Sequence, residues 1–120
     1  MSEPIRIGLV SISDRASAGS YEDQGIPALQ DWLAKALRTP WSAHTRLIPD
    51  VRATIEHTLV ELVEQVGCNL VLTTGGTGLP ERDITPEAVH AVCDKLILGF
   101  GEVFRTLSMR SIGLSTLQSR

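Results

Sequence analysis

The sequence predicts a single α/β domain built on a mostly parallel sheet, and three observations predict it. Two apolar runs, Ile5–Ile12 and Leu70–Thr73, have the near-continuous hydrophobicity of strands covered on both faces. Stretches with apolar residues three and four apart alternate with the strands, as crossover helices do. Polar or glycine-rich connections follow the strands, where open parallel sheets gather their ligands.

Composition narrows the function classes. The chain has 120 residues, 42% of them hydrophobic and 4% aromatic, which suits one domain burying roughly two thirds of its unfolded surface. Eleven basic and fourteen acidic residues are spread along it, so no basic stripe exists to track a phosphate backbone and nucleic acid is not expected as a partner. The opening MSEPIRIGLV lacks a basic region followed by a long apolar core, and no run of eighteen apolar residues occurs, so neither leader nor membrane partner is expected and the location is read as cytoplasmic. Cys68 and Cys93 have no CxxC or metal spacing and read as buried apolar fillers in a reducing compartment.

Taken in order, Ile5–Ile12 (IRIGLVSI) is the first strand, with Gly8 permitting close packing. Ser13 to Gly25 forms a long polar connection, and Ser13, Asp14, Arg15 and Ser17 stand at the strand's carboxyl end as candidate ligand contacts. The plainer alternative has Asp14 and Ser17 capping turns and Arg15 paired on the surface. A helix over Pro27–Leu37 places Leu29, Trp32, Leu33, Ala36 and Leu37 against the sheet. Thr39 and Pro40 end it. Trp41–Ile48 then alternates through Trp41, Ala43, Thr45 and Leu47 as a half-exposed edge strand, with His44 on the polar side. His44, His57 and His90, each without a partner motif, read as solvated. Asp50 at the strand's end is either a helix cap or a ligand contact. Ile55, Leu59, Leu62, Val63 and Val66 mark the next helix, ended by Gly67.

The stretch Leu70 to Pro86, LVLTTGGTGLPERDITP, joins strand, glycine loop and helix start. Gly75, Gly76 and Gly78 around Thr77 allow positive φ and close approach by an anion. No GxxxxGK[ST] is present, so this is not a Walker loop. Arg82 and Asp83, which a plain turn does not need, precede Thr85 as N-cap and Pro86 at the first helical position. That helix continues through Ala88, Val89 and Val92, and Gly99–Phe100–Gly101 turns the chain into a last helical stretch with Val103, Phe104 and Leu107.

With parallel strands and right-handed crossovers, the three loops crowd one sheet edge. That edge would hold the glycine loop, Asp50 and Asp83, Arg15 and Arg82, and several hydroxyls. Two neighbouring carboxylates favour Mg²⁺, which takes phosphates as remaining ligands, and nothing suggests zinc. The chemistry indicated is phosphoryl or nucleotidyl transfer.

In order along nearly the whole chain, RIGLVSISDRASAG, RLIPD, LVLTTGGTG, RDITPEA and GFGE resemble the MogA type of molybdenum-cofactor biosynthesis proteins, in the MogA/MoaB molybdopterin-binding domain family. The resemblance implies a three-layer α/β/α domain, typically a homotrimer, that transfers AMP from Mg-ATP to molybdopterin with release of pyrophosphate. It further implies that the molybdate-insertion protein of the same pathway is a partner. Asp50 and Asp83 match the family's functional aspartates, expected to hold Mg²⁺ and the ATP phosphates. Thr74, Gly75, Gly76, Thr77 and Gly78 match the substrate loop. Ser13, Asp14, Arg15 and Ser17 fall in the first-loop motif of the same pocket, beside Arg82. Family members continue into further strands and a proline/glycine loop, and nothing after Leu114 resembles either, so the sequence is expected to be a C-terminally shortened member with three strands. Two other readings stand beside the transferase: a non-catalytic pterin-binding or oligomerising relative, and a generic nucleotide-binding domain indifferent to pterin.

Overall fold

The computed structural model describes residues 3–120. Three strands, β1 (Ile5–Ile12), β2 (Trp41–Ile48) and β3 (Leu70–Thr74), form one sheet in the order β2-β1-β3. Both pairings are parallel, with Ile5 opposite Trp41 and Ile7 opposite Leu70. The helices are α1 (Asp14–Ser17), α2 (Gly25–Ala36), α3 (Arg52–Val60), α4 (Thr85–Val92) and α5 (Leu98–Ile112). A single π-turn, Glu61–Gln65, extends α3, and a 3₁₀ segment, Gly113–Gln118, follows α5.

β1 divides the core because its side chains alternate between faces. Ile7 and Leu9 pack with Leu33 of α2 on one face, while Val10 and Ile12 pack with Ile55, Leu59, Leu62 and Ala88 on the other. Helices therefore cover both faces, the expected three-layer arrangement. Gly8 is required here for packing, since a Cβ on it would lie 3.0 Å from Leu62 Cδ1 and 3.3 Å from Val71 Cγ2.

Only β1 is flanked on both sides, which corrects the expectation for β3. It is the second edge strand, half-buried, with Leu70 exposed. α2 uses the stripe Ile26, Leu29, Leu33 and Leu37, so Trp32 is 62% exposed and Ala36 is also outside the core. Val63 likewise faces outward, because the π-turn widens the helix there while Leu62 stays buried. The long polar connection contains the single turn α1, with Ser13 as its N-cap. Cys68 packs against the α3 side of the core, and burial pushes its thiol up from the ordinary value, against the pull of Arg46 and Arg6. His44 is half-buried and shares a 3.3 Å hydrogen bond with Ser42, whereas His57 and His90 are exposed. α5 buries none of its residues and leaves Phe100, Val103, Phe104 and Leu107 exposed.

Asp23 anchors α2 to the sheet. Its carboxylate accepts from the Ser11 hydroxyl at 2.6 Å and from the Gly25 and Ile26 amides at 3.2 and 3.0 Å. Burial alone would raise this carboxyl, but the three donors together hold it below its ordinary value of 3.8. Asp23→Ala should cost about 1 kcal/mol, as loss of a helix cap does. Because the folded value is depressed, that stability is present above pH 3.8 and lost as pH falls through the folded value. Thermal melts of parent and variant should therefore separate at neutral pH and converge in acid.

Candidate functional site at the carboxyl edge of the sheet

All three strands run in one direction, so the loops after Ile12, Ile48 and Thr74 meet at one edge. Asp14, in the first turn after β1, ties the edge together. Its Oδ1 accepts the Asp50 backbone N–H at 2.8 Å, and its Oδ2 accepts from the Arg82 guanidinium. Side chains from positions 14 and 82 and the backbone of position 50 thus meet. The Arg82 side chain is 78% exposed, so this ion pair contributes orientation more than stability.

Asp50 is not a helix cap. The N-cap of α3 is Val51, and no side chain caps it. The Asp50 carboxylate instead turns toward the glycine loop, half-buried, with Oδ1 buried and without a hydrogen-bond partner among the described residues. Burial pushes this carboxyl up, the neighbouring Asp83 and Glu87 carboxylates add to the rise, and the Ile84 backbone amide opposes it.

The glycine loop turns sharply after β3, with Gly75 at φ 95° and Gly76 at φ 65°. A Cβ on Gly76 would sit 2.2 Å from Thr85 Oγ1 and 3.1 Å and 3.2 Å from the two Asp50 carboxylate oxygens. Gly76 O accepts the Thr85 N–H at 3.0 Å, and the Gly78 N–H donates to Asp83 Oδ2 at 2.9 Å. The loop is thus closed onto the start of α4. Arg82 and Asp83, adjacent in sequence, serve opposite sides: one reaches Asp14, the other holds Gly78.

The first loop contributes less uniformly. The Ser13 hydroxyl caps α1 through the Ala16 N–H at 3.2 Å and lies 3.0 Å from the Tyr21 hydroxyl. The Ser17 hydroxyl donates back to Asp14 O at 3.2 Å, and Arg15 is exposed. Among the described residues no group of three or more His, Cys, Asp or Glu is placed to hold a metal, so Asp50 and Asp83 would supply two ligands and a cation's remaining ones would come from elsewhere.

Two residues, Glu87 and Arg120, escape a sequence reading, and a third, Thr85, is not the N-cap its sequence suggests. Thr85 belongs to α4 itself, whose N-cap is Ile84; its side chain caps nothing and is 2% exposed. Glu87 takes a paired hydrogen bond from Arg120, at 2.7 and 3.0 Å, which holds its carboxyl below the ordinary range. Arg120 also donates to Asp83 O at 2.9 Å and Thr77 O at 3.4 Å, clamping loop to helix from the far end of the chain. Beside it a cavity of about 600 Å³ opens, lined by Thr77, Gly78, Phe104, Arg105 and Arg120 among others.

Among the described residues no helix is long and apolar enough to cross a membrane. A family model described as "Probable molybdopterin binding domain" matches residues 8–119. The chain is 58% identical over 113 residues to the molybdopterin adenylyltransferase of Escherichia coli (strain K12), covering 94% of this chain and 58% of that protein. Against the molybdopterin adenylyltransferase of Helicobacter pylori (strain J99) it is 44% identical over 115 residues, covering 96% of this chain and 65% of that one. The chain thus spans about three fifths of the length of such relatives. Its fold matches the crystal structure of the tungsten cofactor synthesizing protein MoaB from Pyrococcus furiosus with a TM-score of 0.86 at 31% identity, over 100% of this chain and 72% of that one.

Proposed function

The chain belongs to the molybdopterin-binding domain family, and from that membership we propose that it transfers AMP from ATP to molybdopterin, releasing pyrophosphate. The observation that carries the reading is the meeting of Asp14, Asp50, the glycine loop, Arg82 and Asp83 at one sheet edge. In the reaction, an oxygen of the pterin's terminal phosphate attacks the α-phosphorus of ATP in line. The bond to the β-phosphate oxygen breaks, and pyrophosphate leaves. The attacking phosphate is already ionised, so no protein nucleophile is required and catalysis rests on positioning and charge neutralisation.

The residues fit a hard divalent cation. Asp50 Oδ1 is a buried acceptor lacking a donor among the described residues, the nearby side-chain ligands are oxygens, and Glu87 is already neutralised by Arg120. Asp50 and Asp83 would hold Mg²⁺, with phosphates and water completing its shell. When bound, Mg²⁺ supplies positive charge to the phosphates. Arg82, held among the described residues only by Asp14 and largely exposed, is free to swing onto a phosphate. Asp14 then keeps Asp50 in place through its backbone amide. The cavity beside Thr77 and Gly78 has the volume of a nucleotide or pterin site. A cytoplasmic homotrimer that passes the adenylylated pterin to a molybdate-insertion protein is the setting this reading predicts.

Incubation of the chain with molybdopterin, ATP and Mg²⁺ should yield pyrophosphate and adenylylated pterin in equal amounts. Pterin binding without either product would turn the reading into that of a binding module. ATP binding indifferent to pterin would remove it from this reaction altogether.

A further inference from the structure

Two buried oxygens at the site, Thr85 Oγ1 and Asp50 Oδ1, have no hydrogen-bond partner among the described residues. They face the same side of Gly76, where a Cβ would meet Thr85 Oγ1 at 2.2 Å and Asp50 Oδ1 at 3.2 Å. An unsatisfied hydroxyl on a residue only 2% exposed is costly, and valine would fill the same space without that cost. Buried polar groups are otherwise partnered, so this threonine calls for a ligand. The ligand's chemistry follows from the pair. A carboxylate oxygen only accepts, a hydroxyl can accept as well, and two acceptors facing the same point beside Gly76 match the two protons of one water. A divalent cation polarises its bound water and strengthens it as a donor, and Mg²⁺ usually retains several waters.

We propose that Thr85 is a positioning residue for the cation, its hydroxyl and Asp50 Oδ1 receiving the two protons of one cation-bound water. The inference rests on the transferase reading for the presence of a cation. It goes beyond that reading in assigning Thr85, which touches no reacting atom. The glycine loop covers both oxygens, and the Thr85 N–H is held by Gly76 O.

The test uses the parent chain, Thr85→Val and Thr85→Ser, titrated with Mn²⁺ in the presence of α,β-methylene-ATP and followed by electron paramagnetic resonance. Thr85→Val should weaken Mn²⁺ binding about tenfold, as loss of a metal's outer-shell partner does. Thr85→Ser should restore it to within about twofold. Without metal, Thr85→Val should melt no lower than the parent, because it removes an unpartnered hydroxyl. Unchanged Mn²⁺ affinity in Thr85→Val would overturn the inference and leave the transferase reading intact. A marked fall in metal-free melting temperature would overturn it too, by making the hydroxyl structural, and so would a parent that binds no Mn²⁺. Weakened Mn²⁺ binding in a chain that forms no adenylylated pterin would instead sink the transferase reading and leave Thr85 as a cation-positioning residue.

Discussion

Asp50→Asn should lower the rate of AMP transfer by about 10²- to 10³-fold, the range seen when one preorganised electrostatic contact is removed from a transfer site. Pterin binding should be largely kept, because the contacts proposed for Gly76, Thr77 and Gly78 would not use the lost charge. The same variant should be more stable than the parent at neutral pH. The Asp50 carboxyl is raised above its ordinary value of 3.8, chiefly by burial. An acid raised in the fold contributes most stability below its unfolded value and loses that contribution as pH rises through the folded one. At pH 7 the ionised group is therefore a cost, made larger by Asp83 and Glu87, and asparagine removes it. Single-turnover transfer and thermal melts at pH 7 check the two halves together. Unchanged turnover would take Asp50 out of the mechanism.

Gly75→Ala should destabilise the fold by about 4 kcal/mol and abolish transfer. Gly75 lies at φ 95°, which strains any other residue by about 1–3 kcal/mol, and its Cβ would sit 2.1 Å from the Ile12 backbone oxygen. Ile12 ends the central strand, so that atom cannot move away without disturbing a sheet ladder. Gly19→Ala isolates the two contributions. Its φ is 81°, but nothing lies within 4 Å of the added carbon, so only the backbone strain remains. Denaturant titrations should place Gly19→Ala within about 1–2 kcal/mol of the parent and Gly75→Ala well below both. Equal losses would mean that strain, rather than contact with β1, makes glycine necessary at position 75.

The strands were legible because their period is short and their surroundings simple. Ile5–Ile12 and Trp41–Ile48 appear with the bounds that apolar runs and Thr39–Pro40 suggest, and Leu70–Thr73 is extended only by Thr74. The family motifs identified the molybdopterin-binding domain, which the match over residues 8–119 bears out. The meeting of loops followed from parallel pairing, since strand direction alone fixes which ends share an edge. Helix faces were less legible. Leu29, Trp32, Leu33 and Ala36 contain two overlapping stripes about 100° apart, and only packing on Ile7 and Leu9 selects the one holding Leu33. Thr85 was masked by its own context, because a threonine before a proline has the local signature of a cap. Arg120 was invisible for a different reason. Its partner Glu87 is 33 positions away, and no local pattern connects a surface arginine to a carboxylate at that separation.

The place of β1 at the centre of the sheet sets the timing of its protection during synthesis. The strand that both neighbours pair with is the first to be made, yet β2 follows only after α2 and β3 only after α3. At about 5–20 residues per second, the second partner reaches β1 on the order of several seconds after β1 itself. During that interval a run of Ile7, Leu9, Val10 and Ile12, buried to within 3% in the finished fold, is held in the nascent chain with at most one edge paired. Transiently exposed apolar segments with unpaired strand edges are prone to aggregate. The ordering that gathers three loops at one sheet edge thus also leaves β1 waiting longest for its partners.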